Sequence, residues 1–281
     1  MTNPTSQTNP TGPIGGPVLV TGGTGTLGRH VVPLLRRAVG QEVRVLTRNP
    51  RPAADGVTYL AGDLRTGDGV DAAVAGAEVV LHLAGDAKHD EATTRTLVDA
   101  ARRAGVRHLV YISVIAADRV PLGYFRAKHA AERIVAESGV PHTTLRAAQF
   151  HDLTLKTAAA MAKLPVVPAV NGIRWEPVDA RDVAERLVEL ALAAPAGLVT
   201  DLAGPTVRTL GDLTRDYLAA AGKRRPMLPL RAPGKVGRCY REGVNLAAPG
   251  ADRGARTWEA FLAETFPAGT AAAATGRVRT S

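Results

Sequence analysis

The sequence predicts an α/β protein built on a doubly wound parallel sheet, with a smaller lobe at the C-terminal end. Short apolar runs alternate with helical patterns from residue 18 to residue 145, and parallel βαβ units produce this order. No two-residue hairpin turn joins consecutive runs, so the strands are connected by crossovers. The chain has 281 residues, of which 45% are hydrophobic, and this size suits one large α/β domain or two lobes.

The elements of the first half follow one another in a regular order. Val18–Val20 is an apolar run that ends at a glycine turn, as a buried strand does. Leu27–Ala38 has apolar residues at helical spacing, and Val43–Leu46 is the second strand. Further strands are predicted at Val57–Ala61, Glu78–Leu83, His108–Ser113 and Thr143–Leu145, and further helices at Asp68–Ala75, Ala92–Ala104 and Tyr124–Glu137.

After Arg146 the alternation becomes less regular. The prolines and glycines of Pro226–Gly254 predict long loops, where binding groups often lie. Helices are predicted at Leu153–Leu164, Ala180–Ala193, Leu210–Ala221 and Arg256–Thr265, and strands at Ile173–Val178 and Val199–Ala203.

Composition excludes several classes of protein. Cys239 is the one cysteine, so no intramolecular disulfide or cysteine zinc site is possible, and a cytoplasmic location is expected. No uncharged apolar stretch of about 18 residues exists, so we expect no membrane partner. The net charge is +9. The segment from Arg208 to Arg256 contains eleven basic residues and four acidic ones. Only Tyr217 and Tyr240 are interleaved with them, which argues against nucleic-acid binding.

A glycine-rich turn is the sharpest local signal. It follows the first strand, opens the first helix and has the spacing G-x-x-G-x-x-G, with glycines at 22, 25 and 28. Such a turn lets backbone N–H groups approach a pyrophosphate at a helix N-terminus. The sequence therefore predicts a dinucleotide site that includes Thr21, Gly22, Thr24, Gly25, Thr26, Leu27, Gly28 and Arg29.

The end of the second strand predicts which dinucleotide is bound. NAD-selective sites place a carboxylate there, whereas this chain has Arg48, and Arg29 could reach the same place. Two guanidinium groups suit a 2′-phosphate, so we expect NADP(H) in preference to NAD(H). Asp63 and Leu64 are the predicted adenine pocket. The end of the fourth strand adds Leu83, Ala84 and Gly85 beside the nicotinamide ribose.

Four segments together resemble the short-chain dehydrogenase/reductase superfamily, and more narrowly its atypical, NmrA-like branch of NAD(P)H-binding proteins. They are the glycine turn, Gly62-Asp63-Leu64, Tyr124-Phe125-Arg126-Ala127-Lys128 and Val178–Ala184. The resemblance extends from Pro17 to Phe266 and implies a Rossmann-type sheet and an oxidoreductase. We expect a dinucleotide-binding core over 17–150, a substrate-binding part integrated with it over 151–267, and disordered tails over 1–16 and 268–281.

Tyr124 and Lys128 are the predicted catalytic pair. They are four residues apart, so they share one face of a helix, and a nearby ammonium favours an ionised phenol. Tyr124 would exchange a proton with a carbonyl oxygen as hydride is transferred, and Lys128 also resembles a ribose anchor. The chain departs from the family pattern after the fifth strand: Ser113 is the one hydroxyl available there, and Val114 occupies the place of a usual second one.

The residues after the sixth strand are the predicted substrate contacts: Gln149, Phe150 and His151. His151 could equally be structural, and His82, inside a strand, is expected to be a core histidine. No metal site is predicted. The substrate is a small molecule with a carbonyl-type group (ketone, aldehyde or quinone), and Arg208, Arg231, Arg238 and Arg241 suggest that it is polar or anionic. The alternatives are a non-catalytic NADP(H)-binding redox sensor that acts through a protein partner and, less well supported, a nucleotide-sugar epimerase.

Overall fold

The computed structural model describes residues 15–85, 88–170 and 172–267. Its strands are β1 Val18–Thr21, β2 Val43–Thr47, β3 Val57–Ala61, β4 Val79–His82, β5 His108–Val114, β6 His142–Ala147, β7 Val167–Val170, β8 Arg174–Trp175, β9 Gly197–Leu198, β10 Leu202–Ala203, β11 Arg208–Thr209, β12 Met227–Leu230 and β13 Asp252–Arg253. Its helices are α1 Gly28–Ala38, α2 Val70–Val74, α3 Asp90–Arg103, α4 Gly123–Glu137, α5 His151–Met161, α6 Ala180–Leu192, α7 Leu210–Ala220, α8 Gly234–Arg241 and α9 Trp258–Thr265.

The chain divides into two compact units. The first contains the described residues of Met1–Ile112 together with Ala130–Thr144 and Ala184–Val199. The second contains Ser113–His129, Leu145–Val183 and the described residues of Thr200–Ser281. The functional division at residues 150 and 151 stays a prediction.

The first unit contains the predicted doubly wound sheet. Its strands lie in the order β3-β2-β1-β4-β5-β6, and β9 pairs with β6. This is the strand order of the Rossmann fold, so the predicted fold class is confirmed. Thr21, the last residue of β1, is paired with Leu46 of β2 and with His82 of β4. The carboxyl ends of β1, β2 and β4 therefore lie side by side.

The strands of this sheet are buried on both faces, as parallel strands between helices must be. Val18, Leu19 and Val20 of β1 are fully buried although they point alternately to opposite faces. One face packs against α2, α3 and the second half of α4 in a single apolar cluster. This packing explains why the strands read as continuous apolar runs in the sequence.

The second unit is built from four short strand pairings and a helical core. Leu202 of β10 is paired with Ala147, and β10 also pairs with β13. β8 pairs antiparallel with β11, and β7 pairs parallel with β12. A second apolar cluster joins α5, α7 and α9, with Trp258 at its centre and fully buried.

The predictions for the C-terminal part were partly wrong. Pro226–Gly254, predicted as long loops, contains β12 and α8 as well as β13. Ile173–Val178 forms a strand only at Arg174–Trp175, and Val199–Ala203 only at its last two residues. Residues 268–281 and 1–14 of the predicted tails lie outside the described residues. Gly15 and Gly16 both donate backbone hydrogen bonds of 2.7 Å to Glu78 Oε2. None of the described helices is long and apolar enough to cross a membrane.

Candidate functional site

The glycine turn between β1 and α1 has a geometry that other residues would not tolerate. Gly22 has a φ of +69°, a region that L side chains rarely adopt. A Cβ placed on it would lie 2.6 Å from the backbone nitrogen of Ala84. At Gly28 a Cβ would collide with the carbonyl oxygen of Gly22 and the backbone of Gly23. A positive φ at Gly22 and close packing at Gly28 therefore explain these two glycines.

The turn presents backbone donors at the start of a helix. Gly25 donates to Gly22 O at 3.0 Å, which folds the turn back on itself. No hydrogen bond of the described chain engages the N–H groups of Thr24, Thr26 or Leu27. Thr24 and Gly25 are exposed, and the first turn of α1 contains no acidic residue. Free N–H groups and the positive end of a helix dipole together suit a diphosphate, so this chain's own residues fit a dinucleotide.

His82 fixes the strand end beside the turn. Its Nδ1 lies 2.8 Å from Thr21 Oγ1 and its Nε2 lies 3.1 Å from Thr94 Oγ1. The backbone N–H of Ala84 donates to Thr21 Oγ1 at 3.4 Å. The ring is completely buried, so the expectation of a core histidine is confirmed. Thr21, Leu83 and Ala84 thus belong to one hydrogen-bonded corner beside Gly22.

The residues predicted to select the nucleotide lie at the same edge. Arg48 is exposed, directly follows β2, and takes part in no ion pair of the described chain. Arg29 is exposed in the first turn of α1, and its Nε donates to His30 Nε2 at 3.2 Å. Asp63 Oδ1 accepts the N–H of Arg65 at 2.8 Å and so stabilises its own turn. Leu64 is part of the first unit's core, which leaves its adenine role a prediction.

The predicted catalytic residues lie in the second unit. α4 places Tyr124 and Lys128 one turn apart on the same helix face. The Tyr124 side chain is 41% exposed, whereas Lys128 is only 4% exposed. Ser113 lies near the end of β5, and its hydroxyl is buried without a hydrogen-bond partner in the described chain. Val114, beside it, has no polar group. The structure thus supplies an accessible phenol, a buried ammonium and an uncommitted hydroxyl.

The three predicted substrate residues differ in accessibility. Gln149 and Phe150, at the end of β6, are partly exposed. His151 is completely buried, its Nε2 lies 3.0 Å from Pro177 O, and its ring packs against Trp258 and Phe261. This environment favours the structural role for His151 that the sequence left open. Its contact with substrate stays a prediction that the burial does not support.

An ionic cluster around the buried carboxylate of Asp179 was not foreseen. Arg181 makes a bidentate pair with Asp179, at 2.9 and 2.7 Å, and also reaches Glu264 at 2.9 Å. Nδ1 of His151 lies 3.6 Å from the same carboxylate. Burial raises the pKa of Asp179, but the hydrogen bonds from Arg181 and the proximity of His151 lower it by more, so the net pKa lies far below its usual range. The Val178–Ala184 segment signalled the family, but sequence spacing alone gave no sign of these partners.

Two of the four arginines that suggested an anionic substrate are occupied by other contacts. Arg208 pairs with Asp216 at 2.7 Å and with Glu259. The Arg241 guanidinium donates to the Ala232 carbonyl. These contacts explain two of the four arginines as structural groups, so they carry no argument about the substrate.

Residues 22–193 match the model of a protein family described as NAD(P)H-binding. The chain belongs to this family. The match begins at Gly22, the first glycine of the turn, and includes every residue predicted here for the cofactor except Thr21.

This NAD(P)H-binding protein is similar in sequence to two enzymes and in fold to one solved structure, as follows. It is 28% identical over 215 residues to quinone oxidoreductase 2 of Escherichia coli, covering 74% of this chain and 75% of that protein. It is 32% identical over 213 residues to the (4-alkanoyl-5-oxo-2,5-dihydrofuran-3-yl)methyl phosphate reductase of Streptomyces griseus, covering 73% and 74%. The crystal structure of the E. coli NADPH-dependent quinone oxidoreductase with NADPH covers 89% of this chain and 99% of its own, with 23% identity and a TM-score of 0.73.

The family and these relatives identify the chain as an NAD(P)H-dependent oxidoreductase, as the sequence predicted. The residues that would hold the cofactor are those of the glycine turn, whose free amides fit its diphosphate. When bound, the reduced nicotinamide supplies a hydride.

Proposed function

We propose that this oxidoreductase reduces small molecules with a carbonyl-type group, that is a ketone, an aldehyde or a quinone, and that NADPH is its preferred reductant. The pairing on α4 of an exposed phenol with an ammonium one turn away carries the proposal. A carbonyl oxygen gains negative charge as its carbon accepts hydride. Tyr124 is the accessible hydroxyl that can give this oxygen a proton.

Lys128 has an electrostatic role. Because its side chain is buried, its charge acts in surroundings of low dielectric, where it favours the phenolate left behind after proton donation. Ser113 is proposed to orient the substrate oxygen through its uncommitted hydroxyl. Gln149 and Phe150 are proposed as substrate contacts because they are accessible at the end of β6.

The proposed preference for NADPH rests on charge at the ends of β1 and β2. The register pairs Thr21 with Leu46, so Arg48 lies at the same sheet edge as the glycine turn. No carboxylate stands at the end of β2, where a bare ribose diol would need one. Arg48 and Arg29 therefore suit a 2′-phosphate.

The names of the relatives support a reductase of this kind. Quinone oxidoreductase 2 is named for a quinone. The Streptomyces griseus enzyme is named for a phosphorylated oxo-dihydrofuran. Both names describe small molecules that carry carbonyl groups, and the transfer of this class of substrate to the present chain is part of the proposal.

Oxidation of NADPH in the presence of quinones, ketones and aldehydes tests the function. Tyr124→Phe should lower kcat at least about 100-fold, the usual contribution of a general acid, without changing the Kd for NADPH. Tyr59→Phe is the matched control because the ring of Tyr59 stacks under Arg51 and its hydroxyl has no role in the proposal. Equal turnover by Tyr124→Phe and the wild type would remove Tyr124 from the mechanism. NADPH binding without oxidation on any substrate would favour the redox sensor.

A further inference from the structure

The small parallel sheet of β7 and β12 has its buried residues on β7, whereas Leu228, Pro229 and Leu230 of β12 are all exposed. Val167 and Ala169 of β7 point into the core of the second unit. The opposite face carries Leu228 and Leu230 of β12, which are 53% and 48% exposed. Leucines two residues apart on a strand point to the same side, so these two side chains lie together on one face of the sheet.

Two more apolar side chains are exposed in the residues that precede β7. Leu164 and Val166, just before β7, are 47% and 45% exposed. Four of the nine large hydrophobic residues exposed in the described part of the chain therefore belong to 163–170 and 223–231. We call the surface formed by these two segments the β7/β12 face. Scattered exposed leucines need no explanation, but a concentrated group indicates an interaction surface.

The charges on these segments have one sign. They carry Lys163, Lys223, Arg224, Arg225 and Arg231, all exposed, and no acidic residue. Among the described residues none of the five takes part in an ion pair with a carboxylate, although Lys223 Nζ donates to the Tyr217 hydroxyl at 3.2 Å. Elsewhere in the same unit, Arg181 and Arg253 are each paired with a carboxylate. The β7/β12 face thus combines exposed aliphatic side chains with cations that form no ion pair with a carboxylate of the described chain.

Prolines argue against a partner strand at this sheet. Pro168 of β7 and Pro229 of β12 have no backbone N–H, so neither strand offers an uninterrupted row of donors to an added strand. A partner must therefore bind the side chains of this face rather than form backbone hydrogen bonds with its strands. A bilayer containing anionic lipid offers negative headgroups for the five cations and a hydrocarbon boundary for the leucines.

We propose that the β7/β12 face binds the surface of membranes that contain anionic lipid. Such contact requires no spanning helix, so it is compatible with the absence of one among the described residues. The expectation of no membrane partner rested only on the lack of a spanning segment. Surface binding would place the second unit against the bilayer, where molecules that partition into lipid are concentrated.

Sedimentation of the full-length protein with vesicles tests the proposal. The vesicles contain phosphatidylcholine alone or with about 30% phosphatidylglycerol. Each cation near an anionic surface strengthens binding about fivefold, so the Arg224→Gln/Arg225→Gln/Arg231→Gln variant should bind about 100-fold more weakly. Leu228→Ser/Leu230→Ser should bind at least tenfold more weakly, and salt near 0.5 M should abolish binding by the wild type because it shortens the Debye length.

Matched controls distinguish vesicle binding by this face from binding that depends only on the net charge of the protein. Arg37→Gln/Arg95→Gln/Arg102→Gln removes the same charge from exposed positions on α1 and α3, and Leu192→Ser/Leu198→Ser removes two other exposed leucines. Both controls should bind vesicles like the wild type, and all variants should bind NADPH equally. The proposal is overturned if the wild type ignores anionic vesicles at 0.1 M salt or if control and test variants lose binding alike. It is also overturned if light scattering shows a dimer that Leu228→Ser/Leu230→Ser dissociates, because a second copy would then cover the face.

Discussion

Substitutions at two glycines of the same turn should affect cofactor binding and folding stability separately. A Cβ at Gly25 would meet only Gly22 O, at 3.3 Å, and Gly25 is exposed. Gly25→Ala should therefore leave stability nearly unchanged, because a carbonyl has to move by only a few tenths of an ångström. The new methyl group would occupy space over the free amides, where the diphosphate is expected, so the Kd for NADPH should rise at least about tenfold, or 1.4 kcal/mol.

Gly28→Ala should instead lower the stability of the folded protein. Its Cβ would collide with backbone atoms of Gly22 and Gly23, which cannot rotate aside as a side chain can. Overpacking of this kind costs about 3 kcal/mol. Since 1 kcal/mol corresponds to about 2–4 °C for a domain of this size, the Tm should fall by about 6–12 °C.

Thermal unfolding followed by circular dichroism and calorimetric titration with NADPH measure both quantities on the same preparations. The reasoning is refuted if Gly25→Ala binds NADPH as tightly as the wild type, because the diphosphate then does not lie on this turn. An unchanged Tm for Gly28→Ala would contradict the close packing of α1 on the turn.

The remaining predictions concern charge. Arg48→Asp should raise the Kd for NADPH about 10- to 100-fold, which is the contribution of a charge-assisted hydrogen bond, and should change the Kd for NADH by no more than about threefold. Arg37→Asp is the control. Equal losses of affinity for both nucleotides would contradict the 2′-phosphate assignment. Burial lowers the pKa of His108 to about 4, with a further contribution from His142. The folded state therefore holds the neutral ring, and stability should be lost as the pH falls from 6.5 towards 4, by about 3 kcal/mol in total. In His108→Gln, whose amide can still reach Thr143, urea unfolding should show a shallower pH dependence over this range; an identical slope would disprove the assignment.

The first half of the fold was predictable because its signals are local. The β1 run, the glycine turn and the apolar spacing of α1 lie within about twenty consecutive residues, and each agrees with the others. The structure keeps the order of the predicted strands: it extends four of them by one to three residues, leaves β3 unchanged and shortens β4 by one residue at each end. The glycine roles at 22 and 28 could also be predicted, since positive φ and close approach are properties of the turn itself.

Strands β7 and β12 and helix α8 could not be predicted because tertiary contacts stabilise them. β7 and β12 each contain a proline, which weakens any strand pattern, and they are paired across about sixty residues. α8 has glycines at 234 and 237, yet Gly237 allows close packing on Ala232. Likewise, the partners of His151 lie at Pro177, Asp179 and Trp258, and no spacing rule connects them.

The ionic contacts of the second unit set an order for its assembly during synthesis. Glu176 and Asp182 receive hydrogen bonds from Arg253 and Arg256, which follow them by 77 and 74 residues. A ribosome adding about 5–20 residues per second needs roughly 4–15 s to make that stretch. Until then these carboxylates lack their arginine partners, and the second unit can close around them only after Arg253 and Arg256 have been synthesised.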